Sequence, residues 1–246
     1  MKKTLRTILL SLGLMMAVGA TAAQKSDTFE TPGGKTVVIH HIKHASIHIE
    51  YGGRHIYVDP VGTGLEPKTD VSLLPKANII LLTHEHFDHY DPMALPQMYL
   101  PATAVYANPT VVRKANRGIA MNNGDSIIFA PDIKIYAVPA YNTTPGREEY
   151  HPKGRDNGYV LELDGLRIYI AGDTEDVPEM ADLKDIDIAF LPCNQPYTMT
   201  VDQLVKAANV IEPKVLFPYH YSETPINQVR IKMAGSGIDV RIRDYK

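Results

Sequence analysis

The chain has 246 residues, of which 44% are hydrophobic and 22% are charged. These fractions are typical of a globular protein and exclude a chain that is mostly disordered. The net charge of -3 leaves no basic surplus for binding a phosphate backbone, so we expect no nucleic-acid partner. The single cysteine, Cys193, excludes an internal disulfide, so stability must come from a packed core or a metal.

The N-terminus has the pattern of a secretory signal peptide. Lys2, Lys3 and Arg6 precede an apolar run at residues 8–18, and small residues follow at positions 20–22. The run is too short to cross a bilayer, and no cysteine follows it to carry a lipid. A buried N-terminal helix is the alternative. We expect a signal peptide at residues 1–22, a single mature domain at residues 23–246, and a periplasmic or secreted protein that is not held in a membrane.

The first elements in chain order are predicted to be strands. Residues 46–51 alternate apolar and polar side chains, and two glycines separate them from the run at residues 55–59, which predicts a hairpin. Residues 78–82 and 134–138 form short apolar runs that suit buried strands. Asp164 and Gly165 separate two further strands, at residues 159–163 and 166–170, and suit a type I′ turn.

The second half of the chain mixes strands with helices. Strands are predicted at residues 186–191 and 215–217, each ended by a proline. Thr200 and Gln203 resemble a capping box that opens a helix, which residues 212–213 close. Helices are also predicted, with a weaker signal, at residues 109–115 and 177–183. The pattern favours layered sheets with helices outside them, and periodicity alone takes the topology no further.

The chemistry is concentrated at residues 84–89, which read His-Glu-His-Phe-Asp-His. Imidazole nitrogens and carboxylate oxygens are suitable ligands for Zn²⁺ and related ions that must keep a reacting water. In an extended segment, residues two apart point the same way, so His84 and His86 can bind one ion together. Asp88 and His89 then follow as the loop turns and could bind a second ion. The alternative is a solvated turn that happens to be rich in histidine and aspartate.

This hexapeptide after an apolar strand resembles the signature of the metallo-β-lactamase fold superfamily. Residues 44–46, the Gly-Gly hairpin and residues 58–60 resemble the opening of the branch that includes ascorbate-6-phosphate lactonase and related uncharacterised hydrolases. Residues 171–174 resemble the superfamily's strand-end aspartate, and residues 218–221 resemble its last histidine. The resemblance implies an α/β fold, a four-layer αββα sandwich with the metals at one edge.

The resemblance also implies two divalent ions, Zn²⁺ in the first place, with Mn²⁺ or Fe²⁺ as alternatives. The implied ligands are His84 and His86 for the first ion, Asp88, His89 and His220 for the second, and Asp173 as a bridge. A third histidine for the first ion is expected between the hexapeptide and Asp173. His151 is the only histidine in that interval, and Asn142 or water is the alternative.

Four residues are candidates for acting on the substrate: Asp88, His44, Asn194 and Tyr197. His44 matches a family histidine and is expected beside a ligand or facing the substrate. Asn194 and Tyr197 follow a predicted strand and could polarise a substrate oxygen, with ordinary loop hydrogen bonding as the alternative. Asp59 is expected to orient a ligand or to cap its loop. The remaining strand histidines are interpreted as solvent-facing or hydrogen-bonded: His40, His41, His48 and His55.

Three functions are compatible with these residues. The first is a hydrolase that uses a hydroxide activated by two metals on a lactone, phosphodiester or related ester, with a small molecule as substrate. The second is a β-lactamase, although Asp173 stands where the β-lactamases of this fold carry Cys or Ser. The third is a non-catalytic metal- or ligand-binding protein, against which the intact ligand set argues. A ribonuclease is disfavoured by the acidic charge.

Overall fold

Two seven-stranded sheets form the centre of the computed structural model, which describes residues 26–245. The predicted signal peptide lies outside these described residues. No helix within them is both long and apolar enough to span a membrane. The two sheets follow one plan, because each is antiparallel at one side and parallel at the other.

The first sheet contains the N-terminal half of the described chain, with its strands in sequence order. Strands β1 to β4 pair antiparallel, and strands β4 to β7 pair parallel. Parallel neighbours end at the same edge of a sheet, so the loops after β4 and β5 leave side by side. The strands are β1 (Ser26–Glu30), β2 (Thr36–Lys43), β3 (Ser46–Tyr51), β4 (Arg54–Val58), β5 (Ala77–Leu82), β6 (Tyr99–Ala107) and β7 (Ile119–Ala120).

The second sheet contains the C-terminal half and repeats this plan. Strands β8 to β11 are antiparallel, and strands β11 to β14 are parallel. The loops after β11, β12 and β13 therefore also leave from a common edge. The strands are β8 (Ser126–Ala130), β9 (Ile133–Ala140), β10 (Asp156–Leu163), β11 (Leu166–Ile170), β12 (Ile188–Pro192), β13 (Val215–Tyr219) and β14 (Asp239–Val240).

Side-chain alternation along the strands divides the core into layers. On β5, Ile79 and Leu81 join the large core that both sheets share, whereas Ile80 and Leu82 face a second core on the outside of the first sheet. Helices α1 (Leu95–Met98) and α2 (Pro109–Ala115) contribute to that outer core. Helix α3 (Val201–Ile211) packs against β12 and contacts α4 (Asn227–Lys232). The predicted αββα sandwich, with helices outside two central sheets, is therefore confirmed.

Most of the predicted elements are present. The two hairpins form, and Asp164 and Gly165 have positive φ angles of 48° and 89°, as a type I′ turn requires. The capping box of α3 is also formed. The helix predicted at residues 177–183 is wrong in type, because only a short 3₁₀ helix, Pro178–Asp182, is present.

The prediction that a proline ends each of two strands is also wrong. Pro192 is the last residue of β12, and β13 continues through Pro218 to Tyr219. On one side of β13 the pairing with β14 covers only Val215 and Leu216. The missing N–H of Pro218 therefore costs no hydrogen bond on that side.

A buried carboxylate joins the two ends of the described chain. Asp27 on β1 accepts hydrogen bonds from His41 at 2.8 Å and from Arg243 at 2.7 and 2.8 Å, and Arg241 lies 3.0 Å away. His41 also contacts the hydroxyl of Tyr245 at 2.6 Å. Although burial alone would raise it, the hydrogen bonds from His41 and Arg243 hold the pKa of Asp27 below its ordinary value. The network fastens the C-terminal segment of the second sheet to the first.

Asp27→Asn is expected to lower the free energy of unfolding by about 3 kcal/mol, because it leaves the buried His41 and the partly buried Arg241 and Arg243 without their carboxylate. Asp239→Asn is the matched control, since Asp239 also pairs with Arg241 but is 54% exposed. Asp27 stabilises the fold above about pH 4, and this contribution is lost on acidification because its pKa is lower in the folded chain. Urea unfolding at several pH values should show a steeper acid loss in the parent chain than in Asp27→Asn. Equal slopes and equal stabilities would contradict this account.

Candidate metal centre

The predicted ligands lie where strands of both sheets end. Thr83 and the hexapeptide follow β5, residues 171–173 follow β11, and His220 follows β13 directly. The carboxyl ends of parallel strands are where open α/β sheets usually bind ligands, because the loops that leave there converge. His44 lies in the turn between β2 and β3, and His151 lies in the segment between β9 and β10.

The first group consists of three imidazoles. His84 Nε2 lies 3.0 Å from His86 Nδ1, and His151 Nε2 lies 3.3 Å from the same nitrogen of His86. His84 and His151 are fully buried, and His86 is partly exposed. Ligand atoms about 3.3 Å apart are what a tetrahedral zinc ion with bonds of roughly 2.0–2.1 Å requires. The arrangement therefore fits one divalent ion. Of the three imidazoles, only that of His86 reaches the surface.

The second group has four members rather than the predicted three. His44, Asp88, His89 and His220 each offer one ligand atom, and these atoms lie within 4.8 Å of one another. His44 Nε2 is 3.0 Å from Asp88 Oδ2, and His220 Nε2 is 3.5 Å from the same oxygen. His44, predicted beside a ligand or facing the substrate, thus lies close enough to serve as a ligand itself.

Asp173 lies between the two groups, as the bridging role would require. Its Oδ2 is 3.4 Å from His151 Nε2 and 3.3 Å from His220 Nε2, while its Oδ1 is 3.2 Å from His89 Nε2. His84 Nε2 is slightly farther away, at 3.9 Å. One carboxylate therefore touches both groups, and the structure brings all seven predicted ligands together. Their roles as ligands stay predictions.

Unpaired polar atoms at the centre support the fit to metal ions. Within residues 26–245, four buried atoms here make no hydrogen bond: His89 Nε2, Asp173 Oδ1 and both ring nitrogens of His220. A buried polar atom without a partner costs free energy, so such atoms are rare in folded proteins. A cation coordinated by these atoms would remove that cost. The donor set, imidazole and carboxylate, is suitable for zinc and for other divalent transition metals.

Burial keeps several of these imidazoles neutral. It lowers the pKa of His44 and of His151 to about 4, and it lowers the pKa of His84 well below its usual value. A neutral imidazole has a free lone pair on one ring nitrogen, which is the form that binds a metal. These three side chains are therefore ready to coordinate an ion at neutral pH without first losing a proton.

Neighbouring charges lower the pKa values of the two carboxylates of the centre and raise the pKa of His89. Although burial opposes it, His220 and His89 hold the pKa of Asp173 well below its usual range, and His89 does the same for Asp88. Burial would lower the pKa of His89, but Asp173, Asp88 and Asp59 raise it well above its ordinary value. The same carboxylates that raise the pKa of His89 would attract a divalent cation at this point.

Asp59 and Thr83 contact the last and the first histidine of the hexapeptide. Asp59 Oδ2 lies 2.8 Å from His89 Nδ1, which directs the opposite nitrogen of that ring towards Asp173. The same carboxylate accepts hydrogen bonds from the backbone and the hydroxyl of Thr83 at 2.8 and 2.6 Å. The structure thus gives Asp59 the contacts of an orienting residue. Thr83, which sequence reasoning missed, also contacts His84 Nδ1 at 3.0 Å.

The backbone is unusual where it delivers these side chains. His44, Asp59 and His220 have φ angles of 48°, 43° and 47°, a left-handed conformation that residues other than glycine seldom adopt. Gly172, just before Asp173, has φ of 67°, and a Cβ there would lie 2.9 Å from the Asn157 carbonyl oxygen. Such conformations tend to cluster at functional sites, where the surrounding packing maintains them.

The geometry distinguishes between His151 and Asn142. The amide nitrogen of Asn142 donates to the carbonyl oxygens of Arg147 and Tyr197, at 3.2 and 2.8 Å. Its backbone N–H donates to the carbonyl oxygen of His151 at 2.9 Å. Asn142 therefore supports the loop that carries His151, whereas the His151 ring lies in the imidazole group. The arrangement favours His151 as the third ligand of the first ion.

A pocket of about 310 Å³ opens above the two groups. Asn194 and Tyr197, the predicted oxyanion residues, both line it, and so do Phe87 and Tyr150, which the sequence did not single out. Their only sequence signal is adjacency, because each lies next to a predicted ligand. A larger surface cavity, of about 510 Å³, contains none of the predicted site residues.

Comparisons with known proteins agree with the fold and with the metal chemistry. A family profile described as the beta-lactamase superfamily domain matches residues 38–220. A UPF0173 metal-dependent hydrolase of Ligilactobacillus salivarius is 36% identical over 192 residues, which cover 74% of this chain and 84% of the relative. A UPF0173 metal-dependent hydrolase of Thermococcus onnurineus is 31% identical over 198 residues, which cover 77% of this chain and 86% of the relative.

Solved structures lead to the same class. A crystal structure of a proposed metal-dependent hydrolase from Parabacteroides distasonis is 52% identical, with a TM-score of 0.87, over 92% of this chain and 100% of that chain. A metallo hydrolase from Ignicoccus hospitalis, 24% identical, shares the fold with a TM-score of 0.70 over 85% of this chain and 95% of that chain. The chain therefore belongs to the beta-lactamase superfamily. It is a metal-dependent hydrolase, and its relatives are the UPF0173 hydrolases.

His151→Ala is expected to reduce the zinc content by about one ion per chain, because it removes one of three ligands from the first group. Asn142→Ala is the control, since it removes two supporting hydrogen bonds and no imidazole. The measurement is elemental analysis after equilibrium dialysis against buffered Zn²⁺. Full zinc content in His151→Ala, with loss in Asn142→Ala, would reverse the assignment.

Proposed function

We propose that the chain is an exported hydrolase that cleaves small, uncharged esters or lactones at a centre of two divalent ions. The observation that carries the proposal is the composition of the pocket. Its floor consists of predicted metal ligands, and its walls include Phe87, Tyr150, Asn194 and Tyr197. No lysine or arginine from the described part of the chain lines it. An anionic substrate would have only the ions themselves to balance its charge, so a neutral substrate suits these walls better.

Two ions are supported by the two separate ligand groups and by the position of Asp173 between them. Divalent ions at such a centre supply Lewis acidity and a lowered pKa of water, which makes a nucleophile available at neutral pH. A carboxylate shared by two ions offsets their mutual repulsion. Asp173 is buried and ionised, which suits this task.

The protein's own side chains would orient the reaction. Asp88 is ionised, its side chain is 20% exposed at the pocket, and its Oδ2 accepts a hydrogen bond from His44. The Asp88 carboxylate could therefore accept a hydrogen bond from the attacking water, on the side of the pocket where the second group lies. Asn194 and Tyr197 lie at the pocket wall, where an amide and a phenol can donate hydrogen bonds to the developing negative charge on the substrate oxygen.

The aromatic walls would select the acyl or alkoxy part of the substrate. The rings of Tyr150 and Tyr197 meet edge to face at 5.1 Å. Phe87 is 70% exposed at the pocket, between two predicted ligands of the hexapeptide. An exposed aromatic ring at a pocket favours contact with an apolar partner, because its contact with water is then reduced.

Export is part of the proposal and is supported by the signal-like pattern of residues 1–22. The mature chain would begin at residue 23 and act on small molecules outside the cytoplasm. N-terminal sequencing of the chain recovered from the periplasmic or secreted fraction tests this, and an intact Met1 in that fraction would contradict it.

Zinc-loaded mature protein is expected to hydrolyse neutral lactones and carboxylic esters faster than phosphodiesters or the β-lactam nitrocefin. Asp173→Asn should lower kcat/KM by at least roughly 100-fold, because it removes the charge shared by both groups. Phe87→Arg should increase relative activity on substrates that carry a carboxylate or phosphate, by on the order of tenfold at low salt.

Phe87→Leu is the matched control, because it changes the shape of the wall without adding charge. A parent chain that prefers phosphodiesters would overturn the neutral-substrate proposal. Turnover of nitrocefin alone would favour the β-lactamase alternative.

A further inference from the structure

A second cluster of potential metal ligands lies on the outward face of the first sheet. His40 on β2, His48 and Glu50 on β3 and His55 on β4 all point away from the core between the sheets, because the residues alternating with them are buried in that core. The strand register brings them together, since His40 pairs with His48 and Glu50 pairs with His55. These histidines, which the sequence analysis interprets as solvent-facing or hydrogen-bonded, thus share one face of three paired strands.

The ligand atoms of this face are close together. One ring nitrogen each of His40 and His48 and one oxygen of Glu50 lie within 4.8 Å of one another. His40 Nε2 is 2.8 Å from Glu50 Oε1, and the rings of His40 and His48 stack with centroids 4.9 Å apart. His48 Nε2 is also 3.0 Å from His55 Nδ1. Two imidazoles and a carboxylate thus lie within reach of one ion, and His55 on the next strand lies beside His48.

These distances match those of the candidate metal centre. There the facing ring nitrogens are 3.0 and 3.3 Å apart, and here the facing nitrogens of His48 and His55 are 3.0 Å apart. Nitrogens at this separation either share a hydrogen bond or can share a metal ion. The mixed nitrogen and oxygen donors suit zinc, copper or nickel, whereas magnesium and calcium prefer oxygen ligands alone.

One ligand of the cluster is buried and two are accessible to solvent. His48 is 4% exposed and stacks on Tyr57 with ring centroids 4.3 Å apart, and Tyr57 is itself buried in the outer core. The side chains of His40 and Glu50 are 35% and 42% exposed. An ion can therefore reach the cluster from solvent and meet one ligand whose position is already set by packing.

We propose that His40, His48 and Glu50, with His55 beside them, form an additional binding site for a divalent transition-metal ion. The site is separate from the candidate metal centre and does not depend on the proposed substrate. An ion held there would join β2, β3 and β4, of which β2 ends next to His44 and β4 ends next to Asp59. Because binding to the folded chain alone stabilises it, zinc should raise the Tm through this site.

The test uses the full mature chain and Zn²⁺ alone as the probe. His40→Gln and Glu50→Gln remove one ligand each from partly exposed positions, so both variants should fold. Glu30→Gln is the matched control, since Glu30 is an exposed strand carboxylate outside the cluster. Zinc per chain is measured after equilibrium dialysis, and Tm is measured with and without Zn²⁺. The catalytic centre is intact in all four proteins, so its ions cancel in the comparison.

Both cluster variants are expected to bind about one zinc ion fewer than the parent chain and the Glu30→Gln control. Their zinc-induced rise in Tm should also be smaller. A long-range ¹H–¹⁵N spectrum of the parent chain should show shifts of the His48 and His55 ring nitrogens with Zn²⁺ but not with Mg²⁺. Equal zinc content and equal Tm shifts in all four proteins would overturn the proposal and leave a hydrogen-bonded surface only.

Discussion

The candidate metal centre depends on the contacts of one buried carboxylate, that of Asp173. It is 3% exposed, and its oxygens lie 3.2 to 3.4 Å from the nitrogens of His89, His151 and His220. A buried charge is costly unless other charges or hydrogen bonds compensate for it. The surrounding imidazoles compensate only partly, because burial keeps His151 neutral. Divalent cations would complete this compensation, and the clusters of His and Asp around the carboxylate are able to bind them.

The topology explains how five separate segments meet at this centre, namely those that carry His44, the hexapeptide, His151, Asp173 and His220. The parallel halves of both sheets deliver their loops to one edge, and the backbone then turns sharply at His44, Asp59, Gly172 and His220. Long-range backbone contacts fix those turns, since His44 donates to the carbonyl of Tyr245 and accepts from the N–H of His220. The second sheet and the C-terminal segment therefore position a residue from the first sheet.

The parts of the site that could be predicted from the sequence are local. The hexapeptide carries four predicted ligands in six residues, and the short strands before Asp173 and His220 are evident as apolar runs. The sandwich itself followed from the resemblance that these motifs support, and the family comparison confirms it. Periodicity alone predicted elements and not their order in the sheets.

The remaining features depend on distant pairings. Asp59 meets His89 across 30 residues, and His44 meets Asp88 across 44. The histidine face of the first sheet requires the register of three strands, which alternation in one strand cannot reveal. Strand β2 was not predicted because buried positions 41 and 43 hold His and Lys rather than apolar residues. Burial of such side chains depends on partners that only the fold supplies.

The most direct test is anomalous X-ray diffraction from crystals of the mature chain grown with zinc and measured at the zinc absorption edge. Two peaks are expected at the candidate metal centre. One should lie at about 2.0–2.2 Å from the ligand nitrogens of His84, His86 and His151, and the other should lie among Asp88, His89 and His220. Asp173 should contact both ions. Absence of both peaks from the candidate metal centre at full zinc loading, or ions bound there without contact to Asp173, would contradict the account.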